Sequence, residues 1–338
     1  MTIRILLAFW YAHREFIKLM KETILYVDCP GYKPLPTGET LRIISSDFIF
    51  ESVTDLPSAM KALNNIPAIN ILVTNNPNFE LFSTFRKKHP NSSTILVTAM
   101  PMKEYSAELQ GIEESLIDHV VSNKSKESWT THDLRITLSK LASNDIFGVE
   151  KYLNANTTIH TETITSSQNR EVLNNKVMEF AQACHLGQHT SRMAFGITEE
   201  LLMNSIYDAP AAAGISRFKN IDQTTAINLL PEEQGQLSFA CDGQILAISS
   251  SDPFGALKKE KVYQYLKKVL KRSSTEGLID TKRGGAGLGL FKILYSSHAI
   301  VCNVQPQKKT EIMALIDVND QLRDFSTMAR SIHFFSTP

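Results

Sequence analysis

Along residues 1–150, short runs of apolar residues alternate with stretches whose apolar positions recur every three or four residues. Ile3–Phe9, Leu41–Phe50, Ile69–Thr74, Thr94–Thr98 and His119–Val121 read as strands. Between them, Ala12–Thr23, Leu56–Leu63, Glu80–Lys88, Met102–Glu114 and His132–Leu141 read as helices. Strands that are apolar on both faces need cover on both sides, so this alternation predicts a doubly wound parallel sheet. Ser143–Leu153 carries enough apolar residues to dock on a domain, and Asn154–Ser167 is polar and Thr-rich, with an edge strand expected near Thr158–Ile164.

Beyond residue 168 the pattern changes. In Glu199–Ala209, the apolar or small residues Leu201, Leu202, Ser205 and Ile206 fall at helical spacing, while Glu200 and Asn204 lie one turn apart on another side. An amide oxygen at Asn204 suits Mg²⁺, and a carboxylate at Glu200 suits general-base work. On pattern alone, a solvated helix edge is the favoured explanation of both residues. Gly243–Ser250 reads as a strand that ends at Ser251-Asp252-Pro253-Phe254-Gly255, placing the Asp252 carboxylate at a strand end, where it can accept a hydrogen bond from the exocyclic amine of a base. An ordinary Asp-Pro turn is the plainer explanation. Lys258–Thr281 reads as a basic amphipathic helix. Gly284-Gly285-Ala286-Gly287-Leu288-Gly289 then leads into an apolar helix, where backbone N–H groups can face a phosphate.

In this order, these pieces resemble the Bergerat ATP-binding fold of gyrase, Hsp90, histidine kinases and MutL. The resemblance covers roughly residues 165–318. It implies Asn204 as the Mg²⁺ position, Glu200 as the catalytic base, Asp252 and Gly255 as the first glycine box, and Gly285, Gly287 and Gly289 as the second. Lys308–Ile316 resembles the last hairpin strand of that fold, with Thr310 near the adenine. Phe254 and Ala256 stand where the first box usually carries glycines, and Tyr207 or Asp208 where kinases often carry a positively charged residue near the phosphates. Lys282, Arg283 or Arg272 are candidates for the missing positive charge.

The first 125 residues resemble a response-regulator receiver domain, most closely at Ile95-Leu96-Val97-Thr98-Ala99. The phosphoacceptor position falls on Asn75, the acidic pair on Ala8-Phe9-Trp10, and the lysine after the fifth strand near Ser122, with Lys124 two residues late. Phosphoryl transfer of this kind needs a carboxylate nucleophile and a carboxylate-held Mg²⁺, so the resemblance implies a pseudo-receiver. His132-Asp133-Leu134-Arg135 looks like a histidine-kinase phosphoacceptor box, but Ile136-Thr137 follows instead of Thr-Pro. A surface histidine is the favoured reading of His132.

The expected fold is therefore α/β. A receiver-like parallel sheet over residues 1–125 is followed by a closing helix and linker over 126–167. An α+β sandwich of the Bergerat type spans 168–318, and a tail without a recognisable motif spans 319–338. Equal numbers of acidic and basic residues, with no basic cluster, argue against a nucleic-acid partner. No apolar run reaches the roughly 20 residues a membrane span needs, and Met1-Thr2-Ile3-Arg4-Ile5 opens as a strand rather than a signal peptide. Cys29, Cys184, Cys241 and Cys302 lack paired spacing, which suits reduced thiols in the cytoplasm. The resemblances imply a signal-transduction protein that binds ATP and Mg²⁺ and acts on a protein partner, with a homodimer admitted. It is either a protein kinase close to the anti-sigma-factor serine kinases or a non-catalytic ATP-binding adaptor. A gyrase-like motor ranks third, since no transducer domain follows Val318.

Overall fold

The structure is a computed structural model that describes residues 22–36, 48–102, 104, 116–124, 127–264, 288–320 and 327–337. The expected strand Ile3–Phe9, with Ala8-Phe9-Trp10 at its end, lies outside these residues, as do Gly284–Gly287, Arg272, Lys282 and Arg283 and most of the expected helices Ala12–Thr23 and Met102–Glu114. The chain divides into two compact units, residues 1–96 and 97–338.

In the first unit, strands β1 (Glu22–Val27), β2 (Phe48–Val53), β3 (Ile71–Thr74) and β4 (Ser93–Thr98) run in parallel in the order β2-β1-β3-β4. β1 corrects an expectation. Glu22 and Thr23, assigned to the end of a helix, pair with Phe48 and Ile49 in the sheet. Ile24–Val27, Ile71–Val73 and Ile95–Leu96 are all buried, as expected for parallel strands covered on both faces. Helices α1 (Leu56–Asn65) and α2 (Phe79–Lys88) start where side chains satisfy free backbone donors. Asp55 Oδ1 accepts from Ser58 N at 2.7 Å, and Asn78 Oδ1 from Leu81 N at 2.9 Å.

Among the described residues, the second unit contributes seven strands of a mixed sheet in the order β5-β11-β9-β10-β8-β7-β6. Its strands are β5 (His119–Ser122), β6 (His160–Ile164), β7 (Gly235–Cys241), β8 (Ile245–Asp252), β9 (Ala299–Gln305), β10 (Lys309–Asp317) and β11 (Ser331–Ser336). β6 is an edge strand, as its alternation suggested. The residues expected to form a featureless tail supply β11, which pairs antiparallel with β5 and parallel with β9.

Alternate residues of β8 serve different layers. Ser250 reaches helix α5 (Gln188–Met203), donating to Leu201 O at 3.1 Å. Ala247 instead joins a core with Trp129 and Ile136 of α3 (Glu127–Ser143) and with Ile146, Val149, Tyr152 and Leu153 of the docked junction. His132 is half-buried on α3 and contacts Tyr152 O at 3.1 Å. α3 is also fastened to β11 by a fully buried pair, with His333 Nε2 3.0 Å from Asp133 Oδ1. Burial pushes the Asp133 carboxyl up, but the His333 charge and hydrogen bond outweigh it and hold it below its ordinary value.

Among the described residues, no helix is long and apolar enough to cross a membrane. The four cysteines are free.

Candidate functional site

α5 is amphipathic, and its face carrying Leu201, Leu202, Ser205 and Ile206 is buried as the spacing predicted. It packs on α4 (Arg170–Ala183), on β8 and on α7 (Leu288–Tyr295), and passes at Asn204–Asp208 into a π-helical turn leading to the short α6 (Ala209–Ala212). π turns widen the helix by one residue and re-aim the side chains that follow. Here the turn buries Tyr207, whose hydroxyl donates to Thr225 O at 2.8 Å. Asp208 then lines a cavity of about 310 Å³ together with Asn204, Ser205, Asp252, Lys261 and Thr310, walled by Leu257, Leu290, Ile312 and the alanines of α6. The volume falls at the lower end of the range for small-molecule sites.

Asp252 and Thr310 form the floor. They are register partners on the antiparallel strands β8 and β10, and both are buried. Burial pushes the Asp252 carboxyl up to about 6, against the pull of backbone N–H groups from Phe254 and Gly255 and of the Thr310 hydroxyl. Phe254 N donates to Asp252 Oδ1 at 2.9 Å. Thr310 Oγ1 is buried beside the Asp252 carboxyl. A buried carboxylate beside a buried hydroxyl suits a flat heterocycle that carries an amine.

The turn after Asp252 depends on Gly255. Its φ is +59°, and a Cβ there would stand 2.1 Å from Gln305 O. Gln307 N donates to Gly255 O at 3.2 Å, so the turn is seated on the β9–β10 connection. Gly289 permits a second close approach. A Cβ there would meet Glu200 Oε2 at 2.8 Å and Asn204 Nδ2 at 3.4 Å, so glycine lets the start of α7 lie against α5. Gly285 and Gly287 lie outside the described residues.

Asn204, Asp252 and Thr310 are thus gathered around one cavity. Glu200 is not. It is ion-paired with Lys292 of α7 and lines a separate cavity of about 350 Å³ with Phe195, Gly196, Glu199, Phe291, Tyr295 and Ser296. Asn204 Nδ2 donates to Glu200 O at 2.8 Å, leaving Oδ1 as its ligating atom. Among the described residues, no group of three or more His, Cys, Asp or Glu side chains is arranged to hold a metal ion. A cation here would therefore rest on Asn204 Oδ1 with water and ligand oxygens, a donor set that fits Mg²⁺. Asp208 is the lining residue that the sequence left undecided against Tyr207. Burial pushes its carboxyl up to about 6, opposed by a 3.3 Å hydrogen bond from Gln223 and reinforced by the Glu200 charge.

In the first unit, Asn75 at the end of β3 is fully engaged. Its Nδ2 donates to Asp28 Oδ1 at 2.7 Å and to Cys29 O at 3.0 Å, and its Oδ1 accepts from Cys29 N at 2.8 Å. Asp28 directly follows β1, so a single carboxylate does stand at the end of a sheet strand here, tied to that amide.

A scan against protein-family models gives no match, and no curated protein is significantly similar. Among solved structures, the crystal structure of the SiaB–SiaC complex from Pseudomonas aeruginosa aligns at 14% identity over 53% of this chain and 98% of that chain, with a TM-score of 0.28. A likeness that loose carries no argument about what this protein does.

Proposed function

We propose that the cavity beside Asp252 binds the base of an adenine nucleotide and that the protein is a cytoplasmic signalling protein acting through a protein partner. One observation carries this reading: the in-register buried pair of Asp252 and Thr310, a carboxylate acceptor next to a hydroxyl at the floor of a cavity. The carboxylate would accept from the exocyclic amine, Asn204 Oδ1 would hold Mg²⁺, and the metal would supply charge neutralisation at the phosphates. The mixed sheet with α4, α5 and α7 packed on it is consistent with the Bergerat resemblance over residues 168–318. The parallel order β2-β1-β3-β4 supports a receiver-like reading of residues 1–125. With the amide Asn75 at the end of β3, that domain is a regulatory or docking module rather than a phosphoacceptor.

Two roles follow from nucleotide binding, a protein kinase or an adaptor whose partner contacts change with nucleotide. The placement of Glu200 favours the adaptor, because its carboxylate is paired with Lys292 in a different cavity from Asn204. Titration calorimetry with Mg-ATP tests the reading. Replacing Asp252 with Ala removes a charge-assisted hydrogen bond, expected to cost about 1.5–3 kcal/mol, or roughly a ten- to hundredfold loss of affinity. Equal affinity in the two proteins, or no binding by wild type, refutes the site. Release or transfer of labelled phosphate by wild type, reduced roughly 10²–10⁴-fold in Glu200→Gln, would decide for the kinase.

A further inference from the structure

We propose that Asp208 is a specificity residue of this cavity, setting it against phosphate and in favour of the uncharged, nucleoside end of its ligand. The inference rests on the adenine reading of Asp252 and Thr310 and adds the class of ligand preferred. Its basis is the charge on the cavity wall. Two carboxyl groups, Asp208 and Asp252, and one ammonium, Lys261, line the same space of about 310 Å³, and the remaining described lining is amide, hydroxyl or apolar. Apart from the Mg²⁺ that a nucleotide brings with it, a triphosphate drawn deep into this space meets more negative than positive charge from the described side chains.

Among the described residues, the groups around Asp208 do not cancel its charge. On α5, Glu200 adds negative charge, and its own cation, Lys292, is committed to it. On β8, Asp252 is a second carboxyl. On α4, the Arg170 guanidinium lies over the Tyr207 ring at 5.9 Å and pairs with Glu199 at 3.6 Å, so it serves the neighbouring side chain. Gln223, the hydrogen-bond partner of Asp208, is neutral. α6 brings only alanine and proline. Lys261 in the helical residues 259–264 is the one cation in the described lining.

Asp208 titrates near 6, so its repulsion is present above that pH and fades below it. Asp252 also titrates near 6, and its ionised form is the stronger acceptor for the amine. Adenosine, which carries no phosphate, should therefore bind better as pH rises through 6 and then level off. ATP should gain from the same rise and lose from the ionisation of Asp208, giving a maximum near pH 6.

The experiment measures adenosine and Mg-ATP affinities of the full-length protein and of Asp208→Asn between pH 5 and 8. The amide keeps the bond to Gln223 while removing the charge. Taking a phosphate charge about 8 Å from the carboxylate, effective dielectric constants of about 20–80 predict that Asp208→Asn tightens Mg-ATP roughly two- to thirtyfold at pH 7.5. Adenosine affinity should be unchanged, and the falling limb of the ATP profile should be lost. If adenosine binds but Asp208→Asn leaves Mg-ATP affinity unchanged or weakens it, the inference is overturned while the adenine reading stands. Weakening would make Asp208 a metal ligand instead. If wild type binds neither compound at any pH, both readings fall.

Discussion

An unliganded protein with a carboxylate buried for recognition should carry a cost in stability, and Asp252→Asn exposes it. The Asp252 carboxyl titrates near 6 in the fold against an ordinary 3.8. Between those values the folded chain holds the proton and the unfolded chain releases it. Stability must then fall as pH rises from 3.8 to about 6, and stay lower above it. At 1.36 kcal/mol per pKa unit, the full effect of this one group is about 3 kcal/mol. Asparagine keeps an oxygen for the Phe254 N–H and places no charge in the cavity. Asp252→Asn should accordingly match wild type near pH 4 and exceed it by up to about 3 kcal/mol at pH 7.5, while losing adenine affinity. The assay is urea unfolding from pH 4 to 7.5 without nucleotide, followed by fluorescence of the buried Trp129. Asp208 titrates in the same window and remains in both proteins, so the difference between the two curves isolates Asp252. A difference that stays flat across the window, or a variant less stable than wild type at pH 7.5, refutes the reasoning.

His333→Ala should leave Asp133 buried without its partner and lower stability by about 3–5 kcal/mol at neutral pH, measured by the same urea titration. Because the Asp133 carboxyl is held below its ordinary value, the contribution of the pair should be present above pH 3.8 and lost only as pH falls further; a loss at pH 7 below about 1 kcal/mol would contradict it. Acetyl phosphate with Mg²⁺ should leave the intact mass of the protein unchanged, since Asn75 offers no carboxylate; a hydroxylamine-labile mass increase within residues 1–125 would overturn that expectation.

Local elements with strong periodicity were legible in the chain. α1 and α2 begin beside Asp55 and Asn78, and β3, β4 and β5 fall on short apolar runs flanked by polar residues. β1 was misread because Glu22–Val27 belongs to the sheet only through its parallel partners β2 and β3, which no local pattern announces. β11 was missed for the same reason, since Ser331–Ser336 finds its partners far away in sequence. At the candidate site, strand-end logic led to Asp252, and the resemblance of Lys308–Ile316 to a last hairpin strand led to Thr310. Helical spacing placed Glu200 with Asn204 but could not foresee Lys292, which draws the carboxylate toward α7. Nor could it foresee the π turn that turns Tyr207 inward and leaves Asp208 facing the cavity.

The seat of β11 between β5 and β9 also bears on how the chain is made. Ser122 N donates to Ser331 Oγ across 209 positions, so one side of β5 has no partner until that much more chain has been synthesised. At about 5–20 residues per second the wait is roughly 10–40 s, during which a short, buried-type strand offers bare backbone groups to any passing edge. The second unit therefore cannot assemble from its leading end onward as the ribosome delivers it. It must be closed late, by a strand threaded in between two that were already there, and anything that delays that strand extends the time spent open to mispairing.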